Sequence, residues 1–149
     1  MILKSLVRLT ICLVISLILG ALGEKDIPSE LPKTLFDVQG ILFPVALALA
    51  TSMDLLRVRN TKLRAEFRAN IKRVRNSLII QFIFACSAIG IILLLKDTAT
   101  LKFKDIIVVF PRLTASIIIS YSILHTIYNF IALQRFKEDI EDKLQKEGK

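Results

Sequence analysis

Cysteine and histidine are scarce in this chain, with two and one among 149 residues. Two cysteines, Cys12 and Cys86, each inside an apolar run, give no disulfide framework and behave as small hydrophobes. One histidine, His125, with no cysteine or carboxylate at ligand spacing, makes no zinc site. The five glycines form neither a phosphate-binding loop nor a GxGxxG turn, and HExxH, CxxC and GxSxG are absent as well. No two carboxylates stand within helical reach of each other inside an apolar run, so the reading is of a protein without an enzymatic site and without a cofactor. Acidic residues are also in short supply, 13 against 21 Lys and Arg, for a formal charge of +8.

What the chain has in excess is apolar surface. The share of hydrophobic residues is 54% and the mean hydropathy is +0.60. A soluble domain of this size has too much surface for its volume to hide so many apolar side chains. Apolar and basic together describe a membrane protein with cationic loops better than a nucleic-acid binder. Four charge-free runs carry the apolar content: 9–23, 38–53, 76–95 and 113–134. They predict four transmembrane helices, near 3–22, 36–56, 76–95 and 111–134, the last opening on Pro111, which suits a first helical turn. The first run also has the basic start and the small residues Ala21 and Gly23 of a signal peptide.

Charge sets the orientation. The N-terminus, the stretch 54–75 and the tail 135–149 hold 15 Lys and Arg, and the two alternate loops hold 6. The positive-inside rule then places both termini and 54–75 in the cytoplasm of a cell whose inner membrane carries the protein.

The basic stretch has a helical period. Leu63, Phe67, Ile71, Val74 and Leu78 recur at spacings of 4, 4, 3 and 4, and no Gly or Pro interrupts 61–89. Leu133, Phe136, Ile140 and Leu144 do the same in the tail. The third helix is therefore expected over 61–95 and the fourth over 111–144. The fold class is an all-α membrane protein, one domain of four transmembrane helices with the last two extended into the cytoplasm. An apolar stripe in water wants cover. Either the two extensions pack on each other, or Leu63, Arg64, Phe67, Arg68, Ile71, Lys72 and Arg73, with Phe136, Ile140 and Leu144, dock a cytoplasmic partner. A third use of the basic face is attraction to anionic lipid.

Two further patterns lie within the apolar runs. Thr114, Tyr121, His125 and Tyr128 fall on adjacent ridges of the fourth helix and predict one polar stripe facing other helices or water. It reads either as a pore lining with a proton-responsive histidine or as interhelical hydrogen bonding. Gly40, Pro44, Ala48 and Ser52, with the parallel step Ala46 to Ala50, form a small-residue ridge on the second helix, and Cys86 and Gly90 a shorter one on the third. Such ridges allow close helix approach, inside the bundle or between subunits of a homo-oligomer.

This plan, with the basic stretch LLRVRNTKLRAEFRANIKRVRNS and the exit SYSILHTIYNFIALQRFKEDIEDK, resembles the small membrane proteins of bacterial and prophage anti-phage systems. Two are similar in architecture. One is the phage-exclusion protein RexB. The other is KwaA, the membrane subunit of the Kiwa defence system, which pairs with the cytoplasmic protein KwaB. The Kiwa resemblance implies an oligomeric membrane sensor that holds and releases a cytoplasmic effector. The RexB resemblance implies ion leakage and depolarisation of the membrane. Neither implies direct contact with nucleic acid.

Overall fold

The computed structural model describes residues 27–53, 61–95, 101–103 and 107–147, and within the first apolar run residues 7, 10–12, 14, 15 and 18. The expected first helix over 3–22 lies largely outside the described residues, although those described within it are helical. Three helices follow: α1 (Glu30–Thr51), α2 (Thr61–Leu94) and α3 (Pro111–Glu147). Each is long and apolar enough to cross a membrane. The chain is thus a helical, multi-pass membrane protein. The connection between α2 and α3, expected as a plain loop, holds a short antiparallel hairpin. Its strands are β1 (Leu101–Phe103) and β2 (Ile107–Val109), with Lys102 opposite Val108.

α2 and α3 run close to the bounds that their periodicity predicts. α1 does not. Expected over 36–56, it begins six residues earlier and stops at Thr51, so Glu30 and Lys33 are helical as well. Charge ends a hydrocarbon span but does not end a helix. Pro32 falls in the first turn, where the backbone N–H has no acceptor in any case. Glu30 stands at the positive end of the helix dipole. At the other end Thr51 and Ser52 turn their hydroxyls back on Leu47, Ala48 and Leu49 carbonyls. The helix runs through Pro44.

The three helices pack along seams of heptad spacing. On α3 the seam runs through the buried Ala115, Ile119, Ser122, Thr126, Asn129, Leu133 and Ile140, with half-buried Phe136 completing the alternation of four and three. On α2 the seam is Phe67, Ile71, Val74, Leu78, Gln81, Ala85, Ala88 and Ile92. α1 contributes Pro32, Gln39, Ala46 and Ala50. Alternating three and four is the period that keeps a seam facing its partner along long helices. Near the hairpin end, Ala85, Ala88, Ala115 and Ile119 pack with Leu35, Phe36, Ile92, Ile118 and Ile123. Phe82 of α2 stacks between Phe43, at 4.1 Å, and Phe36, at 6.3 Å.

At the other end Phe67 meets Phe136 edge to face, ring centroids 4.9 Å apart and planes at 85°. That is the favoured arrangement for aromatic quadrupoles. Truncating both rings should show a coupling of about 0.5–1.5 kcal/mol in a double-mutant cycle of Phe67→Ala and Phe136→Ala. The measurement is equilibrium unfolding in detergent micelles. Strict additivity of the two losses would show that the rings do not touch.

Candidate functional site

Two features carry chemistry: a polar layer buried where the three seams cross, and a basic face at the open end of α2.

The layer is built from α1, α2 and α3 together. Gln39 and Ser122 are fully buried, and Thr126, Gln81 and Asn129 nearly so. The Gln39 side-chain amide donates through Nε2 to Thr126 Oγ1 at 3.1 Å. Thr126 Oγ1 donates in turn to the Ser122 carbonyl at 2.9 Å. Ser122 Oγ reaches across to the Gln81 carbonyl at 3.2 Å. One step nearer the basic end, Ser77 Oγ and His125 Nε2 stand 2.9 Å apart, with donor and acceptor set by the histidine tautomer. Asn129 Nδ2 closes the chain on the His125 carbonyl at 2.7 Å.

Proton counting orients the amide. A hydroxyl has one hydrogen, and Thr126 spends it on Ser122 O. Its oxygen therefore accepts, and Gln39 must present its NH2 group. Gln39 Oε1 is turned to the other side, where it has no hydrogen-bond partner among the described residues.

The expected stripe on α3 does not act as one surface. Thr114 Oγ1 turns back to the Phe110 carbonyl, as Ser116 does to Arg112. Tyr121 lies against His125 with ring centroids 6.0 Å apart. Tyr128 is 72% exposed and points away from the bundle. The inward ridge is the neighbouring one, Ser122, Thr126 and Asn129, because α3 presents that side to both α1 and α2. Spacings of four and three among small polar residues were the signal for it, together with Gln39 and Gln81 standing within uncharged runs.

The small-residue ridge on α1 does not pack inside the three-helix bundle. Gly40, Pro44, Ala48 and Ser52 are all exposed, and nothing lies within 4 Å of a Cβ built at Gly40. The companion step, Ala46 and Ala50, is the buried one, since Gln39 and the heptad place that side inward. Cys86 and Gly90 are half-buried, with open space beyond Gly90.

The basic face has lost its apolar members to the fold. Phe67 and Ile140 are buried, and Ile71 and Phe136 half-buried, because the stripes on α2 and α3 cover each other. Leu63 and Leu144 lie outside the residues whose side chains are described. Arg68, Lys72, Arg73 and Arg75 remain exposed, and Arg64 is half-buried. On α3 the exposed surface is acidic, Glu138, Asp139, Glu141 and Asp142, with Lys137 and Glu141 3.9 Å apart. Such exposed pairs contribute little to stability. Among the described residues no group of three or more His, Cys, Asp or Glu is placed to hold a metal ion.

The bond geometry predicts an inequality. Thr126→Val strips the acceptor from a buried amide and should cost about 1–3 kcal/mol. Gln39→Leu removes the amide and its unpartnered oxygen together, leaving Thr126 bonded to Ser122, and should cost about 0.6 kcal/mol or less. Unfolding in detergent measures both, and equal losses would contradict the amide orientation. Comparison of the chain with protein-family models, with curated proteins and with solved structures finds no match in any of the three.

Proposed function

We propose that the chain is a non-enzymatic subunit of a bacterial inner membrane that presents a stiff, basic two-helix arm to a soluble effector in the cytoplasm. The bounds of the fold support this. α2 and α3 continue past their apolar runs as unbroken helices, and the Phe67–Phe136 contact, with Leu133 and Ile140 buried beside it, holds them together. The observation that carries the proposal is what the contact leaves outside: Arg68, Lys72, Arg73 and Arg75 exposed along one helix. Four like charges on a preformed surface favour an acidic partner and speed its encounter.

The excess of Lys and Arg on the segments flanking these helices sets the arm and both termini in the cytoplasm. In this reading the first apolar run completes a four-helix bundle, copies of which assemble as a homo-oligomer. The resemblance to membrane subunits of anti-phage systems gives the setting: a sensor or anchor that holds an effector until infection. Depolarisation by a pore lined with the α3 stripe has less support, because His125 is engaged by Ser77 within one chain and Thr114 by its own helix.

Charge reversal separates docking from folding. With Lys72→Glu and Arg73→Glu together, affinity capture from native membranes should lose a stoichiometric soluble protein that the unaltered chain retains, with unfolding in detergent unchanged. Glu138→Lys, an exposed reversal on α3, should leave capture intact. Recovery of the unaltered chain without a stoichiometric soluble partner, or a partner indifferent to the double reversal, would refute the proposal.

A further inference from the structure

One face of α2 changes character along its length. Arg68, Lys72, Arg75, Ile79 and Ile83 recur at spacings of 4, 3, 4 and 4, and all five are exposed. Ile79 and Ile83 are 37% and 54% exposed within an uncharged run of a spanning helix, so lipid chains cover them. One turn from Ile79, about 6 Å at 1.5 Å per residue, the same face turns cationic at Arg75. Lys72 follows about 4.5 Å further on. An acyl chain lying on Ile79 and Ile83 therefore brings its headgroup to Arg75 and Lys72. Arg73, two residues from Arg75, stands on the opposite side of the helix.

α3 shows the level at which this happens. Ser77 is paired with His125 and Phe67 with Phe136, so Arg75 stands level with Tyr128. Tyr128 is 72% exposed. An exposed tyrosine on a spanning helix belongs at the headgroup level, with its ring among the chains and its hydroxyl in the polar layer. α3 stays uncharged for six residues more, through Gln134, before Arg135. Arg75 and Lys72 thus project beside an uncharged stretch of α3 and not into open water. Neither makes an ion pair with a described residue.

We infer that Arg75 and Lys72 hold the phosphate headgroup of an anionic glycerophospholipid whose acyl chain lies along Ile79 and Ile83. The guanidinium offers paired N–H donors to the phosphate oxygens, and the ammonium one turn above adds a second positive charge. A zwitterionic lipid is the poorer ligand, because it brings its own ammonium toward two cations. The inference goes beyond the docking of a soluble partner and stands without it, and vesicles holding no other protein read it alone.

The chain has no tryptophan, so Ile79→Trp places a single fluorophore on this face. Leu124→Trp places one at the same level on the lipid side of α3, at a residue 66% exposed and with no cation above it on that helix until Arg135. Each full chain is reconstituted in vesicles of phosphatidylcholine and phosphatidylglycerol, one lipid or the other carrying brominated chains that quench tryptophan on contact. At Ile79→Trp, quenching should favour phosphatidylglycerol about fivefold or more. At Leu124→Trp the two lipids should quench alike. Adding Arg75→Gln to Ile79→Trp should abolish most of the preference, whereas Arg73→Gln, which removes the same charge from the other side of the helix, should leave it. Absence of a preference at Ile79→Trp, or its survival in Arg75→Gln, would overturn the site. An equal preference at Leu124→Trp, or an equal loss with Arg73→Gln, would reduce it to attraction by the whole basic chain and overturn it as well.

Discussion

Hydrocarbon offers no hydrogen bonds, so polar side chains within it must find one another. That constraint fixes this fold. Each helix carries an apolar heptad seam, and each seam is interrupted near one level: by Gln39 on α1, by Gln81 on α2, and by Ser122 and Thr126 on α3, with Ser77 and His125 paired beside the α2 and α3 seams. An apolar seam alone would accept several registers, each burying much the same area. Sliding α1 by two turns would bring the Gln39 amide level with Ile119 or Leu133 of the α3 seam, leaving a buried donor unpaired at a cost of about 1–3 kcal/mol. A single polar position in an apolar seam specifies register in this way even where it adds little stability. The ends agree with the middle. The Phe67–Phe136 contact lies ten residues from Ser77 on one helix and eleven from His125 on the other, as one antiparallel register requires.

How much of this is legible in the sequence depends on contrast. The seam shows plainly at 63–78 and at 133–144, because apolar residues there stand against a charged background, and the structure extends both helices accordingly. Inside the apolar runs the period vanishes from view, since residues facing lipid are as apolar as residues facing a neighbour. The inward side is then set by the partner helix. For that reason the polar residues of α3 do not reveal which of two adjacent ridges turns inward, and Tyr128 falls on the lipid side. Of the two small-residue steps on α1, Ala46 and Ala50 pack within the bundle, while Gly40 and Pro44 lie on its outer surface. The start of α1 is obscured by a different confusion, between the edge of a hydrocarbon span and the end of a helix. The hairpin at 101–109 has no helical period and no strong turn signal, so nothing marks it in advance.

The layer and the basic face belong to one rigid body. From Phe67 to Gln81 α2 has neither glycine nor proline, and its seam is occupied at every heptad step. In the proposed docking, a partner approaching Arg68, Lys72 and Arg73 would meet a surface already ordered by Phe136, Leu133 and Ile140, so its binding would not be offset by folding a loop. Rigid seams do not deform gradually. Interdigitated side chains resist small slides, and a full step along the seam would unpair Gln39, Ser77 and Ser122 at once. The cost of that step keeps the arm in a single position.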